Sequence, residues 1–590
     1  MKIFSGTSGG FPLSLSVMVA ALCLQITTTA VGASAVADPS SGCPFFGCLS
    51  SGTFSLSSDI PGTGNRPVAV KWMTQVSALL TPPDSRSISA RLGCVSCQEG
   101  VVCPTHSGYV SVDQQKGELV WRYDNMTSPS LPILDIYGDA IGTDGKHIVK
   151  VDANGAVEKP IIKIYADLGP MYSISLANDN LFLMSSFAKG LLVTYGTDGI
   201  VDASLTVRAV VERANGSFVP VAQPVIYGKR AYILMQFLPD DTTNQQQAQG
   251  LGLQRLYAID LWARMVDRIC PVWYYNFERM GCPLPSSQPA APSGNSILVH
   301  NDTIYVSLGA PEKGCRGSAG APSSSQQEAG TLWALKDNGT QPQILFKMAA
   351  PVSSLSLYDV SLGEQDRVPS TRPNNNDRKA FRPHRAHETP QKQKNILTAD
   401  VKRAASTVPR VLWAATSQQI TGYNSRNGSV QYSIDVSKLM NVTCRLTSKV
   451  MVTKSADGAL ERLIFAVSVP TTTSPTLIGR QGNSTSQPYV VAVNVESGST
   501  HVQLLWKIAG QPDTEIFGQI ANVMFVPPAS VKRRMYAGGL KDDRIVHMNI
   551  HAEDWKKRFF YNNDAEVYLV GSAVSDKVQY SFAIGHQSFD

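Results

Sequence analysis

Residues 101–121 read VVCPTHSGYVSVDQQKGELVW, and their order decides the fold. A short apolar run opens the stretch, Gly108 marks a turn, and a second alternating run ends in Asp113. Gly117 follows four residues later and Trp121 four beyond that. Two alternating runs split by turn residues predict a β-hairpin. The Asp113 carboxylate can accept from backbone N–H groups two residues on, and Gly117 tolerates positive φ, so together they close a tight turn. Trp121 then falls on the next strand, where its ring can pack between adjacent sheets.

The same outline recurs along the chain. AIGTDGKHIVKVDANG begins at Ala140 and LFLMSSFAKGLLVTYGTDG at Leu181. AYILMQF at Ala231 is completed by RLYAID, and TIYVSLG at Thr303 by GTLWALKDNG from Gly330. VLWAATSQQITGYNSRNGSVQY begins at Val411, and RLIFAVSV is completed by YVVAVNVESG from Tyr489. RMYAGGLKDDRIVHMN begins at Arg534, and a weaker copy, EVYLVGSAVSDKVQYSF, at Glu566. The Asx–Gly spacing repeats at Asn424/Gly428 and Asn494/Gly498, with Tyr432 four residues after Gly428. One such hairpin cannot bury both faces, and repetition at intervals of tens of residues solves this by setting small sheets radially. The expected fold is therefore all-β, a single β-propeller of about eight blades, with seven also allowed. The first and last strands can combine to close the ring.

The pattern strand–Gly–[Leu/Val]-Tyr/Trp-Ala-φ-Asp-x-x-x-Gly-x-x-x-Trp resembles the repeat of PQQ-like (quinoprotein) β-propellers. It is carried best by Tyr109–Trp121, Leu256–Asp260, Leu332–Lys336 and Val490–Gly498. Several copies are degraded, with Asn at 424 and 494, and Tyr432 or Phe346 where Trp is usual. The resemblance implies the fold and often eight blades. Its enzymatic members hold PQQ on the axis over a Trp, with a metal ion bound by carboxylate and Asn ligands, a catalytic Asp, and often an adjacent-cysteine disulfide. This sequence has no Cys-Cys dipeptide, and the aspartate- and Trp-rich motifs of those enzymes have no counterparts in it. No cofactor is expected, and PQQ with calcium enters only under the alternative of a quinoprotein dehydrogenase or a degenerate relative.

The N-terminus reads as a secretory leader. Lys2 precedes the apolar run Leu13–Ile26, and small residues end at Ala35-Val36-Ala37 before Asp38. That run is shorter than the ~20 apolar residues of a membrane span. The domains are then a leader at 1–37, a Ser/Gly/Cys-containing extension at 38–66, and one propeller at 67–590. Polar insertions at 239–252 and 311–329 interrupt hairpins, and a basic, proline-containing insertion at about 361–408 reads as disordered. Seven Asn-X-Ser/Thr sequons, at Asn125, Asn215, Asn301, Asn338, Asn427, Asn441 and Asn483, suit a eukaryotic secretory route. The expected location is extracellular or in the secretory-pathway lumen.

Cys23 leaves with the leader. Local disulfides are expected among Cys43, Cys48, Cys94, Cys97, Cys103, Cys270 and Cys282, while Cys315 and Cys444 stand alone. Cys94-Val-Ser-Cys97 reads as a disulfide, because a zinc site needs a second paired cluster and a redox motif a helix N-terminus. No GxSxG elbow, HExxH or phosphate loop occurs. His547/His551 and His384/His387 read as a surface turn and part of the basic insertion. The net charge of +6 over 590 residues is scattered, which excludes a nucleic-acid face. What remains is a binding scaffold for a protein or glycan partner, its ligands taken on the propeller faces.

Overall fold

The computed structural model describes most residues from 42 to 586. Outside it lie 1–41, 79–91, 164–170, 241–252, 278–295, 309–329, 360–409, 472–484, 526–565 and 587–590, with shorter stretches of one to five residues. The described chain is all-β apart from the one-turn helix Val436–Met440, capped by the Asp435 side chain and by Asn441 in the left-handed region.

The strands form seven hydrogen-bonded sheets, a seven-bladed arrangement. Blades 1 and 2 cover 95–123 and 133–163; blade 3 covers 171–276; blades 4, 5 and 6 cover 296–349, 354–435 and 445–509. Blade 7 spans 515–586 and takes the N-terminal strand Val68–Ala78 as its outermost member, paired with Val578–His586. The first and last strands thus close the ring. Contacts between the innermost strands Ala521–Phe525 and Val95–Cys97 complete the circle. Blade 3 is double, with ten strands. Its two meanders fuse where Val201–Val211 pairs with Ala214–Pro220. Counting sheets therefore returns seven, whereas counting hairpin repeats returns the larger number.

The repeats seen in the sequence are the second and third strands of successive blades. Gly100–Pro104 pairs with Tyr109–Val112, Thr303–Leu308 with Thr331–Asp337, and Val411–Ala415 with Gln419–Asn424. The copy beginning at Arg534 lies outside the described residues. The turn chemistry is as read. Asp113 Oδ1 accepts from Gln115 N at 2.9 Å and Lys116 N at 2.7 Å. Gly117 and Gly428 hold φ of 70° and 73°. Asn494 has its expected place at a strand end, but Gly498 is outside the description.

A second regularity explains the alanine of the repeat. In six of the meanders an aromatic on the fourth strand lies directly opposite a small residue on the third. The pairs are Ser111–Trp121, Ala258–Trp273, Ala334–Phe346, Gly422–Tyr432, Ala492–Trp506 and, in the closing blade, Ala583–Trp72. Each pair sits beside a register shift, the bulge by which an outer strand bends away. A larger third-strand side chain would meet the ring.

The ring then packs on the next blade. A Cβ on Gly117 would lie 2.4 Å from Trp72, one on Gly155 2.5 Å from Trp121, and one on Gly428 3.0 Å from Phe346. Each turn glycine is required twice over, by its φ and by the ring above it. The apolar cores accordingly lie between neighbouring sheets. Trp413, Phe465 and Val491 share one such layer between blades 5 and 6, while Leu298, Leu355 and Leu412 share another between blades 4 and 5.

Candidate functional site

Residues 42–56, set apart in the sequence as part of an extension, run inside the ring. They touch the innermost strands in blade order. Cys43 N donates to Ser96 O at 2.9 Å, and Ser96 N donates back to Cys43 O at 3.0 Å. Leu134 N donates to Pro44 O, Ile226 N to Ser50 O, Val299 N to Ser51 O, Leu357 N to Thr53 O and Val452 N to Phe54 O, all at 2.7–3.0 Å. The buried Gln519 amide joins the segment to blade 7, accepting from Gly47 N at 2.9 Å and donating to Phe45 O at 3.3 Å. Cys43, Cys48, Thr53, Phe54 and Leu56 are all buried. Inner strands of a propeller have one unpaired edge facing the axis, and this segment satisfies much of it.

Chain leaves the axis near Pro61, whose carbonyl accepts from Trp506 Nε1 at 2.9 Å. It then enters the outermost strand of blade 7.

A cluster of ionisable groups gathers on the face where the innermost strands end. His300 closes the strand Ser296–His300, Asp359 follows Ser354–Leu357, and Arg410 precedes Val411–Ala415. His300 Nδ1 lies 3.5 Å from Asp359 Oδ2 and 3.3 Å from Arg410 Nη1. Asp359 N donates to Ser55 Oγ at 3.1 Å, which ties the cluster to the axial segment. Burial, with Asp302 and Asp359 nearby, raises the Tyr227 hydroxyl. Burial also pushes the Glu461 carboxyl up, against the 2.9 Å hydrogen bond from Trp413 Nε1 and the charges of Lys454 and Arg410. His300 Nε2 is buried without a hydrogen-bond partner among the described residues. Arg410 and Tyr227 are half-buried and Asp302 is exposed, so the cluster can meet a polar ligand at its edge. Sequence reasoning passed over these residues because each looks like an ordinary strand end.

Among the described residues two disulfides form, Cys43–Cys48 and Cys94–Cys103. The pairing expected for Cys94 and Cys97 is corrected. Val95 faces Val102 across the first hairpin of blade 1, which sets Cys94 opposite Cys103 with Cα atoms 4.4 Å apart. Cys97 is three residues on, an odd step along a strand, and so points to the other face. It is buried and outside any disulfide, as is Cys444. Cys270, Cys282 and Cys315 lie outside the described residues, as do His384, His387, His547 and His551. Asn125, Asn215, Asn301, Asn338, Asn427 and Asn441 are exposed, and Asn483 is not described.

The residues present do not fit PQQ on the axis. Segment 43–56 lies there, hydrogen-bonded to the strands that would enclose a cofactor. The described tryptophans lie on second, third or fourth strands, where they serve the blade joints: Trp72 Nε1 donates to Gln114 O, and Trp273 Nε1 to Asp337. None forms a floor at the centre. No chemical step is derived through that group.

No family model matches the chain. No curated protein matches it either. Among solved structures it is similar to the β-propeller domain of Myceliophteria thermophila Cps50 (Swd1), at 9% identity over 67% of this chain and 96% of that one, TM-score 0.32. It is also similar to the dihydro-heme d1 dehydrogenase NirN in complex with DHE, at 9% identity over 75% and 79%, TM-score 0.35. Streptogramin B lyase matches at 13% identity over 67% and 94%, TM-score 0.30.

Proposed function

We propose that the chain is a secreted, glycosylated β-propeller that acts as a binding scaffold for a protein or glycan partner. The observation that carries this reading is the axial segment. With residues 43–56 seated where a propeller enzyme would hold an axial cofactor, the faces present the accessible polar groups. There the Arg410, Asp302 and Tyr227 groups provide polar recognition.

Two disulfides, and no helix among the described residues long and apolar enough to cross a membrane, are compatible with an extracellular or lumenal protein. Cleavage near Ala37 and glycans at the exposed sequons complete the proposal. The test uses the glycosylated secreted protein on glycan arrays and against purified secretory-fraction proteins, with Arg410→Ala and Asp302→Ala alongside. A specific ligand whose binding falls about tenfold in these variants supports the reading. Stoichiometric PQQ binding with calcium-dependent, dye-linked alcohol oxidation overturns it in favour of the dehydrogenase alternative.

A further inference from the structure

Backbone hydrogen bonds run the length of the axial segment: Ile226, Val299, Leu357 and Val452 donate to the carbonyls of Ser50, Ser51, Thr53 and Phe54. Its Cys43, Cys48, Phe54 and Leu56 side chains are buried in the adjoining core. Backbone bonds of that kind read an extended or turning backbone and give affinity, while the buried Cys48, Phe54 and Leu56 side chains set the sequence preference. Two of its residues pay in backbone conformation: Cys48 and Phe54 have φ of 61° and 52°. The other non-glycine residues with positive φ are all Asn or Asp, which tolerate that region, whereas a bulky side chain does not. Strain of this sort persists only where the surroundings over-determine it, and it gathers at clamps and switches.

The packing around the segment is also incompletely satisfied. Thr53 Oγ1 and the hydroxyls of Ser354 and Ser356 on the adjoining inner strand are buried without a hydrogen-bond partner among the described residues. By contrast, the joint between blades 3 and 4 is saturated at Asp337, which accepts from Arg230, Tyr232, Trp273 and the Gly339 amide. Departure of the segment need not open the ring. The strand that follows, Val68–Ala78, is pinned independently by its register with Val578–His586, and residues 57–67 separate it from the segment.

We propose that residues 43–56 are a displaceable, self-supplied occupant of a peptide-binding channel, and that the ligand class is an extended peptide offering backbone carbonyls to Ile226, Val299, Leu357 and Val452. The segment then acts as an internal competitor, and the ring stays closed whether it is seated or released. This inference concerns the axis and stands apart from recognition at the faces, so either can fail alone.

The test is made on the intact protein by hydrogen exchange read by mass spectrometry. Amides of 43–56 and of the inner strands they bond should exchange together, at least tenfold faster than those of Leu463–Val467 in the interior of blade 6. A labelled synthetic peptide, GCPFFGCLSSGTFSLS with its disulfide closed, should be captured saturably, and a scrambled peptide of the same composition should not. Thr53→Val replaces an unsatisfied hydroxyl by a methyl of similar size and should slow both exchange and capture by fivefold or more. Exchange of the segment only in step with the blade interiors overturns the proposal, as does failure to capture the peptide. Faster opening in Thr53→Val overturns it too, because that hydroxyl would then be holding the segment down.

Discussion

Asp337 joins the second meander of blade 3 to blade 4, and removing its carboxylate measures what one such joint contributes. The side chain is 4% exposed and pairs with Arg230, itself 21% exposed. It also accepts from Tyr232 Oη at 2.7 Å, Gly339 N at 2.8 Å and Trp273 Nε1 at 3.1 Å. In Asp337→Ala the guanidinium and the buried tyrosine and indole donors lose their acceptor together. Hydrogen bonds to a charged group contribute about 1.5–3 kcal/mol each but do not add, and breaking a buried pair by deleting one member costs about 3–5 kcal/mol. The expected loss is therefore ~3–5 kcal/mol for Ala. Asn keeps one acceptor oxygen while turning an NH2 towards the donors, so its expected loss is smaller, ~1–3 kcal/mol.

The assay is urea unfolding followed by tryptophan fluorescence, with Arg230→Ala and the double variant closing a cycle. Burial tends to raise the Asp337 carboxyl, but Arg230, Tyr232, the Gly339 amide and Trp273 outweigh it and hold it below the usual carboxylate range. A carboxylate lowered in the folded state stabilises above its unfolded value, near ~3.9, and that contribution is lost as pH falls through the folded value. Asp337→Asn should therefore flatten the acid limb of the stability curve below about pH 4. A change of less than ~0.5 kcal/mol in Asp337→Ala, the size of an ordinary surface substitution, would refute the joint as described.

Ala334→Leu and Ala492→Leu should each destabilise by ~1–3 kcal/mol, because the added carbons meet Phe346 and Trp506 across the strand pair; thermal unfolding reads this out. Gly428→Ala should cost more than Gly339→Ala, since both have positive φ but only Gly428 also faces a neighbouring ring, with Phe346 3.0 Å from the added carbon. Equal losses would show that the ring contact is immaterial. Peptide mapping without reduction should recover Cys43–Cys48 and Cys94–Cys103 as linked pairs, with Cys97 alkylated only after unfolding. Burial pushes the Lys449 amine down to about 8. Its charging thus opposes folding below that pH, and Lys449→Met should stabilise at pH 7 with a gain that shrinks as pH rises from 8 to 10.5.

Local chemistry was readable and spatial convergence was not. The Asp113–Gly117 turn, the fourth-strand aromatic and the hairpin pairing all rest on residues within about ten positions of each other, so a single strand-turn-strand carries the information. The blade count was less determinate, because the extended strand Val201–Val211 fuses two meanders by pairing with Ala214–Pro220, a feature no repeat motif encodes. The cysteine pairing turned on hairpin register: spacing alone favours Cys94 with Cys97, and only the Val95–Val102 alignment puts Cys103 opposite. His300 comes from blade 4, whereas Asp359 and Arg410 flank the long insertion of blade 5, and the three share no sequence signal.

The axial segment shows why its role could not be read from composition. A short Ser/Gly-containing stretch ahead of the first repeat, judged alone, reads as a tail. The inner strands bring unpaired N–H groups to the axis from every side, and a segment that must bond Ser96, Leu134, Ile226, Val299, Leu357 and Val452 in turn has to bend at almost each step. Gly47 and Gly52, at φ of 78° and 68°, provide two of those bends. A Cβ on Gly52 would lie 2.7 Å from Val225 and 3.1 Å from the Ile297 carbonyl, so the inner strands leave no room for one. These glycines turn the backbone towards the inner strands, while Cys43, Cys48, Phe54 and Leu56 enter the core beside blades 1, 6 and 7.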